Sequence, residues 1–301
     1  MNAGFIGLGN LGRHLAERVL EAGYPLTVHD LDASAVAALV AAGARAADSP
    51  RAVAEASDCV ITCLPSPAAV REVVSGAGGA LEGLRAGGTW IDMSTNDPHE
   101  LERLAALAAA RGIRTLECPV TGGVHLAAAG EITVIAAGED SVFEEHRSLL
   151  EAMGGRVIHV GPLGKASAIK VITNMLAFIH LVAVGEALML ARRGGIPLGT
   201  AYDVIRASSG NSFVHETESQ VILNGSYDIG FTMDLAVKDL GLARDLGREL
   251  DVPLDLAALV EQTFLRARDK YGGAAWSSQV VKLLEDAVGV DLRAEGFPAS
   301  L

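Results

Sequence analysis

From Met1 to about Gly161, short apolar runs rich in β-branched residues alternate with alanine- and leucine-rich stretches of helical character. The pattern predicts strands at Ala3–Ile6, Pro25–His29, Cys59–Leu64, Thr89–Asp92, Thr115–Cys118, Thr133–Ala137 and Arg156–His159. It predicts helices between them at Arg13–Ala22, Ser34–Ala42, Ser49–Ala56, Pro67–Ser75, Pro98–Arg111 and Ser141–Met153. Such alternation implies a parallel, doubly wound sheet covered by helices on both faces, with ligands bound beyond the carboxyl ends of the strands. The pattern breaks at Val160-Gly161-Pro162-Leu163-Gly164. Beyond it, Lys165 to Arg193 reads as one long helix closed by Gly194-Gly195-Ile196-Pro197, and nearly all that follows is helical with Gly, Pro and Asn breaks. The expected fold class is therefore α/β, with a doubly wound domain over residues 1–163 and an all-helical domain over 164–301. Between Met175 and Leu190 the long helix is apolar around much of its circumference, the pattern of a helix buried on several sides. Burial within the chain and burial against a second subunit both satisfy that pattern.

Half of the 301 residues are apolar, enough for two moderate cores. The 24 basic and 37 acidic residues leave a formal charge of −13, and no Lys/Arg block is present to track a phosphodiester backbone, so no nucleic-acid partner is expected. The N-terminus enters a strand at once, without a signal-peptide pattern. No apolar run is expected to reach bilayer length, since Met175–Leu190 is broken by His180 and Glu186. A cytoplasmic protein with no membrane partner is expected. Cys59 and Cys63, on one face of a strand, read as core residues, and Cys118 lacks a histidine placed to activate it. No metal site is expected.

The first thirty residues carry the sharpest chemistry. Strand Ala3–Ile6 runs into Gly7-Leu8-Gly9-Asn10-Leu11-Gly12, a helix follows, and a second strand ends on Asp30. This is the dinucleotide-binding fingerprint of a Rossmann domain in its proper context. Gly7 permits the tight turn, Gly9 lets the backbone approach a pyrophosphate, and Gly12 allows close helix packing. The helix N-terminus offers N–H groups and a positive dipole end to the phosphates. Asp30 can accept both hydroxyls of an adenosine ribose and would repel a 2′-phosphate, so the expected cofactor is NAD rather than NADP.

Other segments admit two readings from their residues alone. Leu64-Pro65-Ser66 either brackets a cofactor with an apolar wall and a fixed turn or simply ends a strand. Ser94 and Thr95 either contact the nicotinamide ribose or carboxamide or cap the following helix, for which Asn96 and Asp97 are also available. Thr121-Gly122-Gly123 either converges N–H groups on an anion or forms a flexible turn, and His125 either lines that site or sits exposed. Lys170 and Asn174, spaced i and i+4, share a helix face among Ile169, Val171 and Ile172. Desolvation there would lower the lysine pKa toward neutrality, whereas a snorkelling lysine would stay in water. Lys238, followed by Asp239, reads from its residues as half of an i, i+1 charged pair on a solvated helix face. Ser208 to Asn211 and the stretch Tyr271 to Ser278, with Trp276, are further candidates for pocket lining, although Trp276 equally suits a core anchor.

Taken in order, Gly7–Gly12, Cys63-Leu64-Pro65-Ser66, Asp92-Met93-Ser94-Thr95, Pro119-Val120-Thr121-Gly122-Gly123, Gly164-Lys165 through Asn174, and Phe231 to Leu240 resemble the β-hydroxyacid dehydrogenase family. That group includes the 3-hydroxyisobutyrate and tartronate semialdehyde reductases and, more distantly, 6-phosphogluconate dehydrogenase. The resemblance spans nearly the whole chain. It implies an NAD-dependent oxidoreductase that interconverts a small β-hydroxyacid and its semialdehyde or keto acid. It assigns Lys170 the proton transfer, Asn174 the orientation of the hydroxyl, and Thr121, Gly122 and Gly123 the substrate carboxylate. Cofactor contacts fall to Gly7, Leu8, Gly9, Asn10, Leu11, Gly12, Asp30, Leu64, Pro65, Ser94, Thr95 and Lys238. His125 and Leu126 depart from the small residues that commonly follow the glycine pair. The alternatives are an imine reductase, in which the catalytic lysine is often replaced, and a non-catalytic scaffold of the same fold. A homodimer or homotetramer is expected.

Overall fold

Nine strands form the sheet: β1 (Ala3–Ile6), β2 (Leu26–His29), β3 (Arg45–Ala46), β4 (Cys59–Thr62), β5 (Thr89–Asp92), β6 (Arg114–Glu117), β7 (Val120–Thr121), β8 (Thr133–Gly138) and β9 (Arg156–His159). These come from a computed structural model that describes residues 1–301. The helices of this half are α1 (Gly12–Glu21), α2 (Ala33–Ala41), α3 (Pro50–Glu55), α4 (Pro67–Ser75), α5 (Ala80–Gly83), α6 (Pro98–Ala109), α7 (Val124–Ala129) and α8 (Asp140–Met153). The strand order is β3-β2-β1-β4-β5-β6-β8-β7, with β9 paired to β8. Strands β2, β1, β4, β5 and β6 run parallel, so the turns that follow them line one edge in that spatial order.

Side chains alternate across this sheet. Phe5, Ile61 and Ile91 point into one core with Leu15, Val19 and Phe143. Ile6, Val60 and Trp90 point into the other with Val53, Val74 and Leu104. Burial on both faces explains why the strands read as near-continuous apolar runs.

The expectation of a wholly parallel sheet is corrected at β8, which runs antiparallel to both β6 and β7. Only the short β7 and the six-residue α7 lie between β6 and β8, and Pro119 turns the chain at once. A parallel crossover needs a dozen or more residues, usually with a full helix. The 14-residue α8 supplies one between β8 and β9, and those two strands are parallel. The pieces β3, β7, α5 and α7 were too short to leave a periodic signal.

The remaining elements are α9 (Lys165–Arg193), α10 (Leu198–Arg206), α11 (Phe213–Asn224), α12 (Met233–Glu249), α13 (Asp255–Tyr271), a 3₁₀ turn at Ser277–Val281 and α14 (Lys282–Val288). Tertiary contacts divide the chain into Met1–Lys170 and Val171–Leu301, so α9 begins in the first unit and continues in the second. The helical unit is built on Leu181, Leu188, Met233, Ile222, Phe264 and Val280. Trp276 packs against this core and bridges Thr232 through its backbone, the anchoring role.

One expectation for α9 changes. It has 29 residues, and its most apolar 18-residue window has a mean hydropathy of 1.8, long and apolar enough to cross a bilayer by those measures, because His180 and Glu186 are too sparse an interruption to lower that average. Within the chain, 33% of its most apolar window is buried, and Leu176 and Leu190 are exposed.

Candidate active site

The glycine turn has the three local geometries its residues predict. Gly7 has φ +98°, and a Cβ there would lie 2.3 Å from the Cys63 carbonyl oxygen. A Cβ on Gly12 would lie 2.0 Å from the Gly7 carbonyl oxygen, so only glycine lets α1 start this close to the turn. A Cβ on Gly9 would meet nothing within 4 Å, and Gly9 itself is exposed. The side-chain-free backbone at Gly9 therefore faces open space rather than a packed neighbour.

Helix α1 starts without a side-chain cap and without an acidic residue in its first turn. Most of its neighbours do otherwise. Asp32 caps α2, Ser49 caps α3, Ser66 caps α4, and Asp97 caps α6 through the His99 and Glu100 N–H groups. An uncapped, glycine-bared helix start at the carboxyl edge is the arrangement that suits a pyrophosphate.

Asp30 stands beside this turn. Its carboxylate accepts hydrogen bonds from the Leu8 N–H at 2.5 Å and the Asp32 N–H at 2.8 Å. The residue remains part-exposed, so the loops after β1 and β2 are joined through a group that still reaches solvent. These features fit a dinucleotide: the turn for its phosphates and Asp30 for its adenosine ribose.

The next two strand ends are also joined. Leu64 donates its N–H to Ser94 Oγ at 2.9 Å. Ser94 is buried, and behind it Asp92 accepts hydrogen bonds from Thr62 Oγ1 at 2.9 Å, Asn96 Nδ2 at 2.9 Å and the Ser94 N–H at 3.2 Å. Burial pushes the Asp92 carboxyl up, and the Ser94, Asn96 and Thr62 hydrogen bonds oppose that shift. The Ser94 hydroxyl is thus part of a buried scaffold, while Pro65 is exposed and Leu64 and Thr95 are part-exposed at the edge. Helix capping falls to Asp97 rather than to Ser94 or Thr95.

Beyond β7, Gly122 and Gly123 adopt φ +126° and +90°. Both values are open only to glycine at low strain, and they turn the backbone through a tight bend immediately after Thr121. Leu126 folds under Gly122, and the His125 imidazole lies against Gly123, 3.2 Å from where a Cβ would be. His125 is half-buried, and that burial holds its pKa below the ordinary histidine value.

Lys170 lies on α9 and is 7% exposed. Its neighbours invert the usual preference, since Ile169 is 38% and Ile172 43% exposed. Lys165, at the helix start, is exposed. Lys170 is therefore largely buried, unlike a surface lysine such as Lys165.

In the helical unit, Asn174 donates from Nδ2 to Asp239 Oδ2 at 2.5 Å, and Lys238 Nζ pairs with Asp239 Oδ1 at 2.8 Å. Asp239 is fully buried, so Lys238 and Asp239 do not form a pair on a solvated face. Ser208–Gly210 lie exposed in the turn between α10 and α11, where Ser208 Oγ bonds locally to the Ile205 carbonyl.

Glu117 went unnoticed in the sequence, and Asp239 was read only as the charged neighbour of Lys238. Glu117, at the end of β6, accepts hydrogen bonds from the Ala166 and Ser167 N–H groups, each at 3.0 Å, and from Ser167 Oγ at 2.5 Å. The signal was present in both. Glu117 is an acid inside the predicted strand Thr115–Cys118, and Asp239 falls on the apolar stripe of Met233, Ala236, Leu240 and Ala243. A buried acid of this kind requires partners.

The three cysteines are free thiols, and burial pushes Cys59 and Cys63 up to about 12, with Cys118 also raised. None is activated as a nucleophile. No group of three or more His, Cys, Asp or Glu residues is arranged to hold a metal ion.

The glycine turn, the acid after β2 and the following helical unit define a dinucleotide-dependent oxidoreductase. Residues 2–161 match the NAD binding domain of 6-phosphogluconate dehydrogenase, and residues 164–284 match the NAD-binding domain of NADP-dependent 3-hydroxyisobutyrate dehydrogenase. The chain belongs to the β-hydroxyacid dehydrogenase family and is an NAD(P)-dependent hydroxyacid dehydrogenase. It is 37% identical to 2-(hydroxymethyl)glutarate dehydrogenase of Eubacterium barkeri over 96% of each chain. It is 34% identical to L-threonate dehydrogenase of Escherichia coli over 94% of each. The solved structure of 3-hydroxyisobutyrate dehydrogenase from Salmonella typhimurium superposes with a TM-score of 0.87 at 34% identity, covering 94% of this chain and 99% of that one.

Proposed function

We propose that the protein oxidises the hydroxyl of a small β-hydroxyacid with NAD, using Lys170 as the general base, and that Lys170 returns the proton in the reverse reaction. The observation that carries this reading is the inversion on α9, a buried lysine between two exposed isoleucines. A lysine side chain that is largely buried is suited to exchanging a proton with an alcohol rather than to decorating a surface. The named relatives support the substrate class, since hydroxymethylglutarate, threonate and 3-hydroxyisobutyrate all carry a carboxylate and a hydroxyl.

Thr121 Oγ1 and the backbone N–H groups of Gly122 and Gly123 would hold the substrate carboxylate, which fixes the carbinol carbon for reaction. His125, kept neutral near pH 7 by its burial, adds a hydrogen-bonding group beside that loop without adding a charge. Asn174, one turn beyond Lys170 and steadied by Asp239, orients the hydroxyl. The cofactor would rest on Gly7–Gly12 and Asp30, and when bound it supplies the hydride acceptor. The Asp30 carboxylate favours NAD, because a 2′-phosphate there would meet a negative charge.

Two measurements test the proposal. Lys170→Ala should lower turnover by at least about a hundredfold, the ordinary contribution of a positioned acid–base group, while NAD affinity stays within about twofold. Preserved turnover would sink the lysine assignment. Steady-state reduction of NAD and NADP with 3-hydroxyisobutyrate, L-threonate and 2-(hydroxymethyl)glutarate should show NAD preferred. A preference for NADP of about tenfold, or about 1.4 kcal/mol in the wrong direction, would refute the role given to Asp30.

A further inference from the structure

Glu117 is an acid with no part in the chemistry described above, yet it is fully buried and bonded at both oxygens. Its partners are the first residues of α9. Ala166 and Ser167 are themselves fully buried, so water cannot satisfy their N–H groups. The first N–H groups of any helix lack partners within it, and the positive end of the helix dipole lies at the same place. A carboxylate that accepts Ala166 N, Ser167 N and Ser167 Oγ answers both requirements at once. Burial pushes the Glu117 carboxyl up, and the hydrogen bonds from Ser167 and Ala166 oppose that shift.

The same acid stands at a junction in the chain. Going forward from Glu117, Cys118 and Pro119 lead directly into β7 and the turn Thr121-Gly122-Gly123. That segment is fixed on its other side by β8, through the Thr121–Thr133 pairing and the bond from the Ile135 N–H to the Pro119 carbonyl at 2.9 Å. Through its carboxylate, Glu117 holds the residues directly beneath Lys170, which follows Ser167 by three positions and Ala166 by four. Residues so spaced lie on one helix face. One side chain therefore ties the loop assigned to the substrate carboxylate to the helix turn assigned to proton transfer.

We propose that Glu117 is a positioning residue that sets the placement of Lys170 relative to the Thr121–Gly123 turn by anchoring the first turn of α9. The proposal rests on the assignment of Lys170 as the proton-transfer group. A misplacement of about 1 Å costs on the order of a hundredfold in rate when a reaction depends on orientation. Loosening this anchor should therefore be felt in the chemical step and little in binding.

The experiment uses Glu117→Gln, Ser167→Ala and Lys170→Ala in the full-length enzyme, assayed with NAD and the fastest-reacting of 3-hydroxyisobutyrate, L-threonate and 2-(hydroxymethyl)glutarate. Glu117→Gln keeps the shape and replaces one acceptor oxygen with a donor that faces an N–H. It should lower kcat by about ten- to a hundredfold with KM and the NAD Kd within about twofold, and it should raise the deuterium isotope effect on kcat for substrate labelled at the carbinol carbon. Ser167→Ala, which removes only the hydroxyl bond, should show a smaller change in the same direction and serves if the glutamine variant does not fold. Amide exchange over 165–170 should speed at least about tenfold in Glu117→Gln, a readout independent of turnover. Unchanged kcat in a folded Glu117→Gln enzyme, or unchanged exchange over 165–170, would overturn the proposal even if Lys170→Ala is inactive. An active Lys170→Ala enzyme would instead overturn the lysine assignment on which it rests.

Discussion

Replacing Gly9 with alanine separates a residue kept bare for a ligand from residues kept bare for the fold. The added methyl meets no protein atom within 4 Å, and Gly9 does not have positive φ. Folding should therefore be unharmed, and the loss of a flexible glycine from the unfolded chain should stabilise the protein by about 0.4–1 kcal/mol. If the pyrophosphate rests on this backbone, the same methyl pushes it away and weakens its charge-assisted hydrogen bonds, each worth about 1.5–3 kcal/mol. Loss of one such bond weakens NAD by roughly ten- to a hundredfold.

Gly12→Ala is the opposite case. Its methyl would lie 2.0 Å from the Gly7 carbonyl oxygen, where backbone must move, and overpacking of this kind costs about 1–3 kcal/mol. The assays are thermal unfolding of the free protein and calorimetric titration with NAD. Expected are an unchanged or slightly raised Tm with weakened NAD binding for Gly9→Ala, and a Tm lowered by several degrees for Gly12→Ala. Wild-type NAD affinity in Gly9→Ala would refute the placement of the phosphates at this turn.

The remaining predictions concern stability. His146 is 1% exposed, its Nδ1 bonds the Val142 carbonyl at 2.8 Å, and burial holds its pKa below the ordinary value of 6.5. Below that value the unfolded chain takes up a proton that the folded chain refuses, so stability falls as the pH drops through about 6.5 toward the lower folded pKa. His146→Gln should flatten this part of a Tm-against-pH curve, and an unchanged slope would exclude His146 as its source. In the helical unit, Glu285 accepts from the Leu292 N–H at 2.7 Å, pairs with Arg293 Nη1 at 2.9 Å and accepts the Tyr227 hydroxyl. Glu285→Ala should destabilise the protein by about 1–3 kcal/mol by stranding these donors, measured by urea unfolding; a change below about 0.5 kcal/mol would show that water replaces them.

The nucleotide half was legible because its code is local. A glycine turn between strand and helix, and an acid at the next strand end, occur within thirty residues and need no long-range knowledge. The parallel strands were legible because both faces of the sheet are buried, which leaves continuous apolar runs. The reversal at β8 was not, since direction depends on the length of a connection whose own pieces, β7 and α7, lack periodicity. The buried roles of Glu117 and Asp239 escaped for a related reason. Each is defined by a partner 49 or 65 positions away, and what the sequence records is only an acid within a predicted strand or helix. Lys170 is buried, but the exposure of Ile169 and Ile172 beside it was visible only in the fold.

The bond from Leu8 to Asp30 bears on any attempt to redesign cofactor choice. Swapping an acid for a neutral or basic residue is the obvious way to admit a 2′-phosphate. In this protein that acid also tethers the glycine turn to the end of β2 through the Leu8 and Asp32 N–H groups. If the cofactor lies as proposed, removing it would release the glycine turn along with the ribose contact. A successful redesign would need a second substitution that restores an acceptor for Leu8, and a single exchange at position 30 should weaken both cofactors before it favours either.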